Sequence, residues 1–351
     1  MEYIWWDSVP KARAFIERLV DDMIQEKSLL LHTNHGIPWE SSCIQIIRTN
    51  VQQQNSFRNF ETLDGSGEPG NILLQKFCSP EKRAMYRPAK GYARFFAEND
   101  DIVLHERYIW VTIPSSDALE RWSRFVSEYC TYRSKGKTKA VFILQWHGRL
   151  ERERKRGIQI HSFDEAIDEY DCTVFTTMAA SSISIPRLIQ CYLAELASTV
   201  LQNDIELSAA CLQRYREFLE NPSGTIQQLL VEEQRSNGQP FEFEESPQAI
   251  DKKIWRAQVR AIYPYLEEYR EQFVQKYWNA IDACLPIEAP YGECYTSPND
   301  VELGTLLHMA NENQVLISQQ EYEMLKYFRN ARNKLSHLDV LSMEEINKLL
   351  T

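Results

Sequence analysis

The sequence predicts an α/β fold: a parallel-sheet domain over residues 1–186, followed by an all-α domain over residues 187–351. The first reason is that strand-like apolar runs alternate with helical stretches in the first part, as in sheets joined by crossover helices. The second is that nearly every stretch after Pro186 has helical periodicity. The third is the length, because 351 residues suit two domains better than one.

The first predicted elements are a helix, a strand and a second helix. Residues 10–25 repeat apolar side chains at steps of three and four, which is typical of an amphipathic helix. The run SLLLH, residues 28–32, predicts a short strand; the polar loop TNHGIPWESS follows it, and CIQIIRTNV predicts the second helix. Residues 50–100, which include LDGSGEPGN, have no regular pattern and are interpreted as an insertion.

Three further apolar runs predict the remaining strands. RYIWVTI, residues 107–113, is rich in β-branched and aromatic types and suits a buried strand. KAVFILQW, residues 139–146, is the strongest strand signal in the chain, and CTVFTTM, residues 172–178, is another. Residues 115–130 predict a helix between the first two of these strands.

Composition excludes several classes of protein. The net charge of −11 argues against whole-surface binding of nucleic acid or of an anionic membrane. The eight cysteines form no CxxC pair, so we expect neither a zinc site nor a disulfide framework. The N-terminus has no basic segment before a long apolar run, and no stretch approaches about 18 uncharged apolar residues. We therefore expect a cytoplasmic protein with no membrane span and no metal.

The order of these elements resembles AAA-type and STAND-type P-loop NTPases over about residues 10–220. That family implies a GxxxxGK[ST] loop after the first strand, whose amides and lysine bind phosphate and whose hydroxyl holds magnesium. Here Gly36 is present, but residues 28–75 contain no lysine, and Trp39 or Glu40 stands in its place. A glutamate at that position would repel a polyphosphate.

The second signature of that family is an apolar strand that ends in acidic residues, which bind magnesium and orient water. The strand 139–146 instead ends in QWH, residues 145–147. The resemblance implies a polar sensor at Thr176 and a lid arginine at Arg187, so a nucleotide would meet Gly36, Thr176 and Arg187. We expect a degenerate domain, a pseudo-ATPase without a cofactor, because both catalytic signatures are missing.

Residues 65–70, GSGEPG, match the GxGxxG spacing of dinucleotide-binding loops. The residues before them, FRNFETLD, are too polar for the buried strand that such a loop needs. Pro69 lacks an amide donor, and Asp64 and Glu68 add negative charge where phosphates would lie. The sequence therefore predicts a flexible turn here.

The stretch YFRNARNKLSHLDVL, residues 327–341, resembles the RxxxxH signature of HEPN domains, helical modules of many bacterial defence and toxin ribonucleases. Arg332 matches the family arginine, Asn333 its usual polar neighbour and His337 its histidine. The resemblance implies metal-independent RNA cleavage in a homodimer, in which histidine moves the proton and arginine stabilises the developing charge. On an unbroken helix the two side chains would point about 140° apart, so they converge only if the helix breaks near Ser336 or a second copy contributes.

A structural role is the alternative for the same residues. Arg332 would then pair with a carboxylate, for which Glu312 and Glu321 are candidates, and His337 would cap the helix.

Two stretches have enough local positive charge to contact phosphate. One is the RNA candidate at residues 326–337, whose cations are Lys326, Arg329, Arg332 and Lys334. The other is GRLERERKRG, residues 148–157, for which a solvated surface is the alternative.

These observations leave two main hypotheses from different classes, and a third in which the chain is an unconventional nucleotide sensor that binds without hydrolysis. The first is a non-enzymatic interaction, scaffold or regulatory protein with a protein partner, in the multi-protein phage-defence setting that the resemblance implies. The second is a HEPN-like endoribonuclease that uses Arg332 and His337. The sequence does not identify the partner.

Overall fold

A computed structural model describes residues 1–102, 104–133, 137–150, 156–202, 204–288, 292 and 294–350. The chain divides into two compact units, one formed by Met1–Asp171 with Ser236–Gly238 and the other by Cys172–Arg235 with Gln239–Thr351. The first unit contains the parallel sheet and the second is almost entirely helical, which confirms the predicted fold class. The boundary predicted near residue 186 falls at the start of a helix in the second unit.

The first unit is built on a five-stranded sheet in which every neighbouring pair is parallel. The strands are β1 (Ser28–Thr33), β2 (Asn59–Asp64), β3 (Arg107–Ile113), β4 (Val141–His147) and β5 (Ile158–Ser162). Their order is β2-β3-β4-β1-β5, so β1 lies between β4 and β5. The runs predicted at 28–32, 107–113 and 139–146 are β1, β3 and β4, which are buried along almost their whole length.

Helices cover the sheet because each has one apolar face. In this unit they are a π-helix (Ile4–Ser8), α1 (Pro10–Ile24), α2 (Glu40–Gln54), α3 (Pro69–Phe77), α4 (Pro80–Met85), α5 (Tyr92–Glu98), α6 (Ser116–Tyr132) and α7 (Phe163–Ala166), with short 3₁₀ turns at Pro88–Lys90, Asp100–Ile102 and Leu104–Glu106. On α6, Trp122 and Tyr129 pack against Phe142 of β4. The predicted helices 10–25 and 115–130 are confirmed as α1 and α6.

The strand predicted at residues 172–178 is wrong, because these residues lie in helix α8 (Glu169–Ser181). Their β-branched and aromatic composition favours a strand. The buried positions, however, follow a helical period: Cys172, Phe175, Thr176, Ala179 and Ala180. The fifth strand is β5, whose short sequence IQIHS has a much weaker apolar signal.

Interpreting residues 50–100 as an irregular insertion is also wrong, since they hold the end of α2, β2 and three helices. The motif GSGEPG therefore does follow a strand and does lead into a helix, α3. The donors of this loop are already used within the chain, because the Asp64 carboxylate accepts hydrogen bonds from the Ser66 amide and the Ser66 hydroxyl, both at 3.0 Å. Gly70 is required by packing, since a Cβ atom there would lie 1.9 Å from Cγ of Tyr92.

The second unit contains the rest of the helices. They are α9 (Arg187–Leu201), α10 (Ile205–Gln213), α11 (Tyr215–Glu220), α12 (Pro222–Glu232), α13 (Pro247–Lys276), α14 (Trp278–Asp282), α15 (Leu303–Asn311), α16 (Gln319–Ser336) and α17 (Met343–Lys348). A short antiparallel pair, β6 (Ile287–Glu288) and β7 (Cys294–Tyr295), and a 3₁₀ turn at Pro298–Asp300 accompany them. The long helix α13 packs on both α9 and α16.

Candidate functional site

The order of the strands indicates that a ligand site would lie at the carboxyl-terminal edge of the sheet. From β1 the chain leads away towards β2 at one side of the sheet, whereas from β4 it leads to β5 at the other side. Neighbouring parallel strands whose connections run in opposite directions along the sheet mark a topological switch point, and open α/β sheets bind ligands in the crevice at the carboxyl ends of such strands. The candidate site is therefore formed by the residues that follow β1 and β4.

The loop after β1 contains two residues in the left-handed backbone region. Gly36 has φ +87°, and Trp39, the residue before α2, has φ +46°. A Cβ atom at Gly36 would meet nothing within 4 Å, so glycine serves the backbone conformation there and not the packing. For Trp39 this conformation costs about 1–2 kcal/mol, and such strain is often found at functional sites.

A carboxylate from another element fills this loop. Asp164 of α7 accepts hydrogen bonds from the Asn34 backbone amide at 2.6 Å and from the Asn34 side chain at 3.0 Å. It also accepts one from the Thr33 hydroxyl at 3.1 Å. Backbone amides in a loop of this kind are the groups that bind phosphate in P-loop proteins. In this chain an internal anion takes one of those donors.

A hydrogen-bonded chain of side chains crosses from β3 to the start of α2. The Trp110 indole donates to Gln145 Oε1 at 2.7 Å, which turns the Gln145 amide nitrogen towards His147 Nε2, 2.8 Å away. His147 Nε2 in turn lies 3.3 Å from Glu40 Oε2. An amide nitrogen only donates, so neutral His147 accepts with Nε2, and protonated His147 can instead donate to Glu40.

Glu40 is the first residue of α2 and is partly buried. Burial acts to raise the pKa of its carboxyl group, but the hydrogen bonds with His147 and Gln145 outweigh burial and hold the pKa below its ordinary value. Glu40 therefore carries a negative charge at neutral pH. Together with Asp164 it makes the β1 end of the crevice anionic.

The histidine at the end of β1 has a structural role. The carbonyl oxygen of Gly148 lies 2.7 Å from His32 Nε2, so that nitrogen carries the proton, while Nδ1 lies 3.4 Å from the Ser162 hydroxyl. His32 thereby ties β1 to β5 and to the residues after β4. Among the residues that the structure describes, no group of three or more His, Cys, Asp or Glu side chains could hold a metal ion.

The other predicted nucleotide-binding residues lie in the second unit. The sequence predicts Thr176 at a strand end, but this residue is buried in α8, where its hydroxyl donates to the Thr173 carbonyl at 3.1 Å. Arg187 is the exposed first residue of α9. Only Gly36, of the three, belongs to the unit with the sheet.

Helix α16 ends at Ser336, directly before His337. Arg332 donates to Glu302 Oε2 at 2.7 Å, so its partner is neither Glu312 nor Glu321. His337 is exposed, and within the described residues its side chain makes no hydrogen bond or ion pair; its backbone amide bonds to the Asn333 carbonyl at 3.0 Å.

Two of the four positive charges between residues 326 and 337 are neutralised locally. Arg332 pairs with Glu302, and Lys334 pairs with Glu345. The other basic stretch, residues 148–157, is described only at its two ends, because 151–155 lie outside the described residues.

Comparison with known proteins adds no assignment: no family model matches the chain, and no curated protein matches it either. Among the described residues, no helix is long and apolar enough to cross a membrane. The function must therefore be inferred from the residues themselves.

Sequence reasoning missed Asp164, which lies 131 positions from Thr33. Nothing in the local sequence HSFDEA distinguishes this aspartate from an ordinary surface residue. Only the pairing of β1 with β5 brings it to the loop.

Proposed function

We propose that this chain is a non-enzymatic interaction or regulatory protein, in which a P-loop-like α/β domain has lost its triphosphate chemistry. The observation that carries this proposal is the Asp164 carboxylate bound to the Asn34 amide. It stands with the carboxylate of Glu40 at the start of α2. Two anions and no lysine in this loop repel a polyphosphate that a P-loop would attract.

The end of β4 supports the same conclusion. Magnesium in nucleotide sites is held by carboxylate oxygens and phosphates. Here Gln145 and His147 take those positions, and they are engaged with Trp110 and Glu40. The end of β4 itself supplies no carboxylate, and the neighbouring Glu40 carboxylate is already paired with His147.

Calorimetric titration with ATP and magnesium tests the proposal. We expect no binding at millimolar ligand for the wild-type chain. The variant Asp164→Asn removes one charge, and Glu165→Gln on the same helix is its matched control. Submillimolar binding by the wild-type protein would contradict the proposal.

We assign partner docking to the exposed residues 337–340, which follow α16. Leu338 is 69 % exposed and has φ +66°, and Val340 is 44 % exposed. Glycine is the favoured residue at such a position after a helix, so an exposed leucine there lowers the stability of the isolated chain. The leucine is explained if a protein surface covers it, either from a second copy of this chain or from another member of a cytoplasmic defence complex.

A photo-crosslinking amino acid at position 338 tests this assignment when the protein is made in its native host cell. We expect discrete covalent adducts, and an adduct of twice the mass identifies a homodimer. The same amino acid at exposed Lys252 of α13 is the control. Adducts that are absent at 338, or equal at both positions, contradict the assignment.

The HEPN-like ribonuclease is the second candidate, and one observation favours it: α16 stops at Ser336, so His337 is free of the helical geometry that would turn it from Arg332. The ion pair between Arg332 and Glu302 weighs against it, because that guanidinium is already engaged. The test is incubation with RNA in EDTA, using wild type, His337→Ala and Glu302→Gln. Cleavage that His337→Ala abolishes supports the nuclease, and equal or absent cleavage in both rejects it.

A further inference from the structure

The sequence contains a single Asn-Gly pair, Asn237-Gly238, in the segment that joins α12 to α13. Asparagine before glycine is especially prone to spontaneous deamidation, because the side-chain carbonyl carbon lies close to a backbone nitrogen that no Cβ atom shields. In a folded protein the reaction of such a pair depends on two properties of the glycine amide, its hydrogen bond and its accessibility. The structure describes both properties for this pair.

A tight antiparallel turn presents the pair to solvent. The Arg235 amide donates to the Gln239 carbonyl at 2.8 Å, so residues 236–238 form the tip of the turn. The base of the turn is fixed, because the Arg235 guanidinium donates to both carboxylate oxygens of Asp204, at 3.0 Å to Oδ1. The tip itself is exposed along its whole length. Loop tips are also the segments of a fold that most readily change conformation, and ring closure requires such a change.

The glycine amide of this pair is unprotected. Gly238 has φ +81°, a left-handed backbone conformation that glycine adopts without strain. Within the part of the chain that the structure describes, its amide donates no hydrogen bond. A Cβ atom at this position would meet nothing within 4 Å, so the space beside the glycine is open. The nitrogen is therefore accessible to solvent base and to the Asn237 side chain.

The pair Asp64-Gly65 has the same chemistry in a buried setting, since an Asp-Gly bond closes to the same cyclic imide. The Gly65 amide donates to the Thr112 carbonyl at 2.9 Å, and the Gly65 carbonyl accepts from the Trp122 indole at 3.0 Å. A Cβ atom at Gly65 would lie 2.8 Å from the Thr112 carbonyl oxygen. The Asp64 carboxylate is held by the amide and the hydroxyl of Ser66. This pair is therefore a protected reference within the same chain.

We propose that Asn237 is a site of spontaneous deamidation in the folded protein. The Gly238 nitrogen loses its proton to solvent base and bonds to the Asn237 Cγ atom. The bond from Cγ to Nδ2 then breaks, and the side-chain nitrogen takes up a proton and leaves as ammonia. One water molecule opens the cyclic imide at either of its two carbonyl carbons, which gives aspartate or isoaspartate.

The modification changes both the charge and the backbone of the turn. Each product adds one negative charge to a chain whose net charge is −11. Isoaspartate also leads the main chain through its Cβ atom, which lengthens the backbone at the tip by one carbon. The modified fraction therefore increases with the age of the protein. Neither the interaction proposal nor the ribonuclease candidate requires this site.

Incubation of the folded protein, followed by tryptic digestion and mass spectrometry, tests the proposal. The peptide 236–252 should gain about 1 Da. The gain should be faster at about pH 9 than at about pH 6, because the attacking nitrogen must lose its proton. Isoaspartate in this peptide and in peptide 59–76, which contains Asp64, is measured by enzymatic methyl transfer from S-adenosylmethionine. The rate at Asn237 should lie within about tenfold of the rate in the urea-unfolded chain, whereas the rate at Asp64 should fall at least about a hundredfold below it.

Two exposed asparagines provide the variant and its control. Asn237→Gln should lose the mass gain in peptide 236–252, because glutamine would have to close a larger ring. Asn279→Gln should keep that gain, since this asparagine lies in α14, away from the turn. The proposal is overturned by an unmodified Asn237 in folded protein under conditions that convert the unfolded chain, or by a mass gain that persists in Asn237→Gln. Equal protection of Asn237 and Asp64, relative to the unfolded chain, overturns it as well.

Discussion

At the scale of single residues, the informative positions are those where a residue adopts a backbone conformation or a charge state that is unfavourable for its type. Trp39 and Leu338 occupy left-handed backbone that favours glycine. Glu40 is partly buried and yet ionised, because His147 and Gln145 offset its lost hydration. Each of these residues should raise or lower the free energy of unfolding by a measurable amount, and its local geometry predicts the direction of the change.

Replacing Leu338 with glycine should stabilise the second unit by about 1 kcal/mol, because the left-handed strain is removed and little buried apolar surface is lost. Urea denaturation measures the change. Val340→Gly, two residues on and without positive φ, is the control and should not stabilise. A Leu338→Gly variant that is less stable than wild type would show that the leucine makes packing contacts within the chain.

The contribution of Glu40 to stability should depend on pH. Its folded pKa is lowered, so the stabilisation is fully present above the unfolded pKa and is lost as the pH falls through the folded pKa. The difference in unfolding free energy between wild type and Glu40→Gln should therefore be largest at neutral pH and shrink in acid. Urea titrations at about pH 7 and pH 3 measure it, with exposed Glu128→Gln as the control. A constant difference at both pH values would contradict this account.

At the scale of elements, burial decided which sequence patterns could be interpreted correctly. Strands β1, β3 and β4 are central, so both of their faces are apolar and their runs are unmistakable. Strands β2 and β5 lie at the edges, where one side has no neighbour and the sequence is more polar. In α8 the helical period of the buried positions prevailed over strand propensity.

The contact between α3 and α5 predicts opposite effects for two glycines. Gly70→Ala should destabilise the first unit by about 1–3 kcal/mol, because the new Cβ atom would lie 1.9 Å from the Tyr92 ring, which must move. Gly304→Ala, in α15 with nothing within 4 Å, should stabilise the second unit by about 0.5–1 kcal/mol through helix propensity. Thermal unfolding of both variants tests the pair, and a shift in the same direction would contradict the packing argument.

At the scale of the whole molecule, each unit is closed by contacts between residues far apart in the chain. In the first unit Asp164 joins the end of β5 to the loop after β1. In the second unit Gln258 of α13, 1 % exposed, donates to the Leu341 carbonyl at 2.8 Å and accepts from the Leu341 amide at 2.7 Å. This amide holds the C-terminal segment against the long helix.

Gln258→Leu should destabilise the second unit by about 2–4 kcal/mol, since it leaves the backbone groups of Leu341 buried without partners. Hydrogen exchange should accelerate at residues 337–350 and remain unchanged in the sheet of the first unit. Exposed Gln227→Leu on α12 is the control. Unchanged exchange in 337–350 would show that other contacts hold the segment.

The sequence by itself determined the class of fold, the central strands and most of the long helices, because hydrophobic periodicity is a local property that burial makes strong. It also determined that this loop has no lysine and that β4 ends without a carboxylate. Only the tertiary structure decided that Asp164 occupies the loop after β1 and that Arg332 pairs with Glu302. The partners in such contacts are chosen by strand order and helix packing, which bring together residues that no local pattern connects.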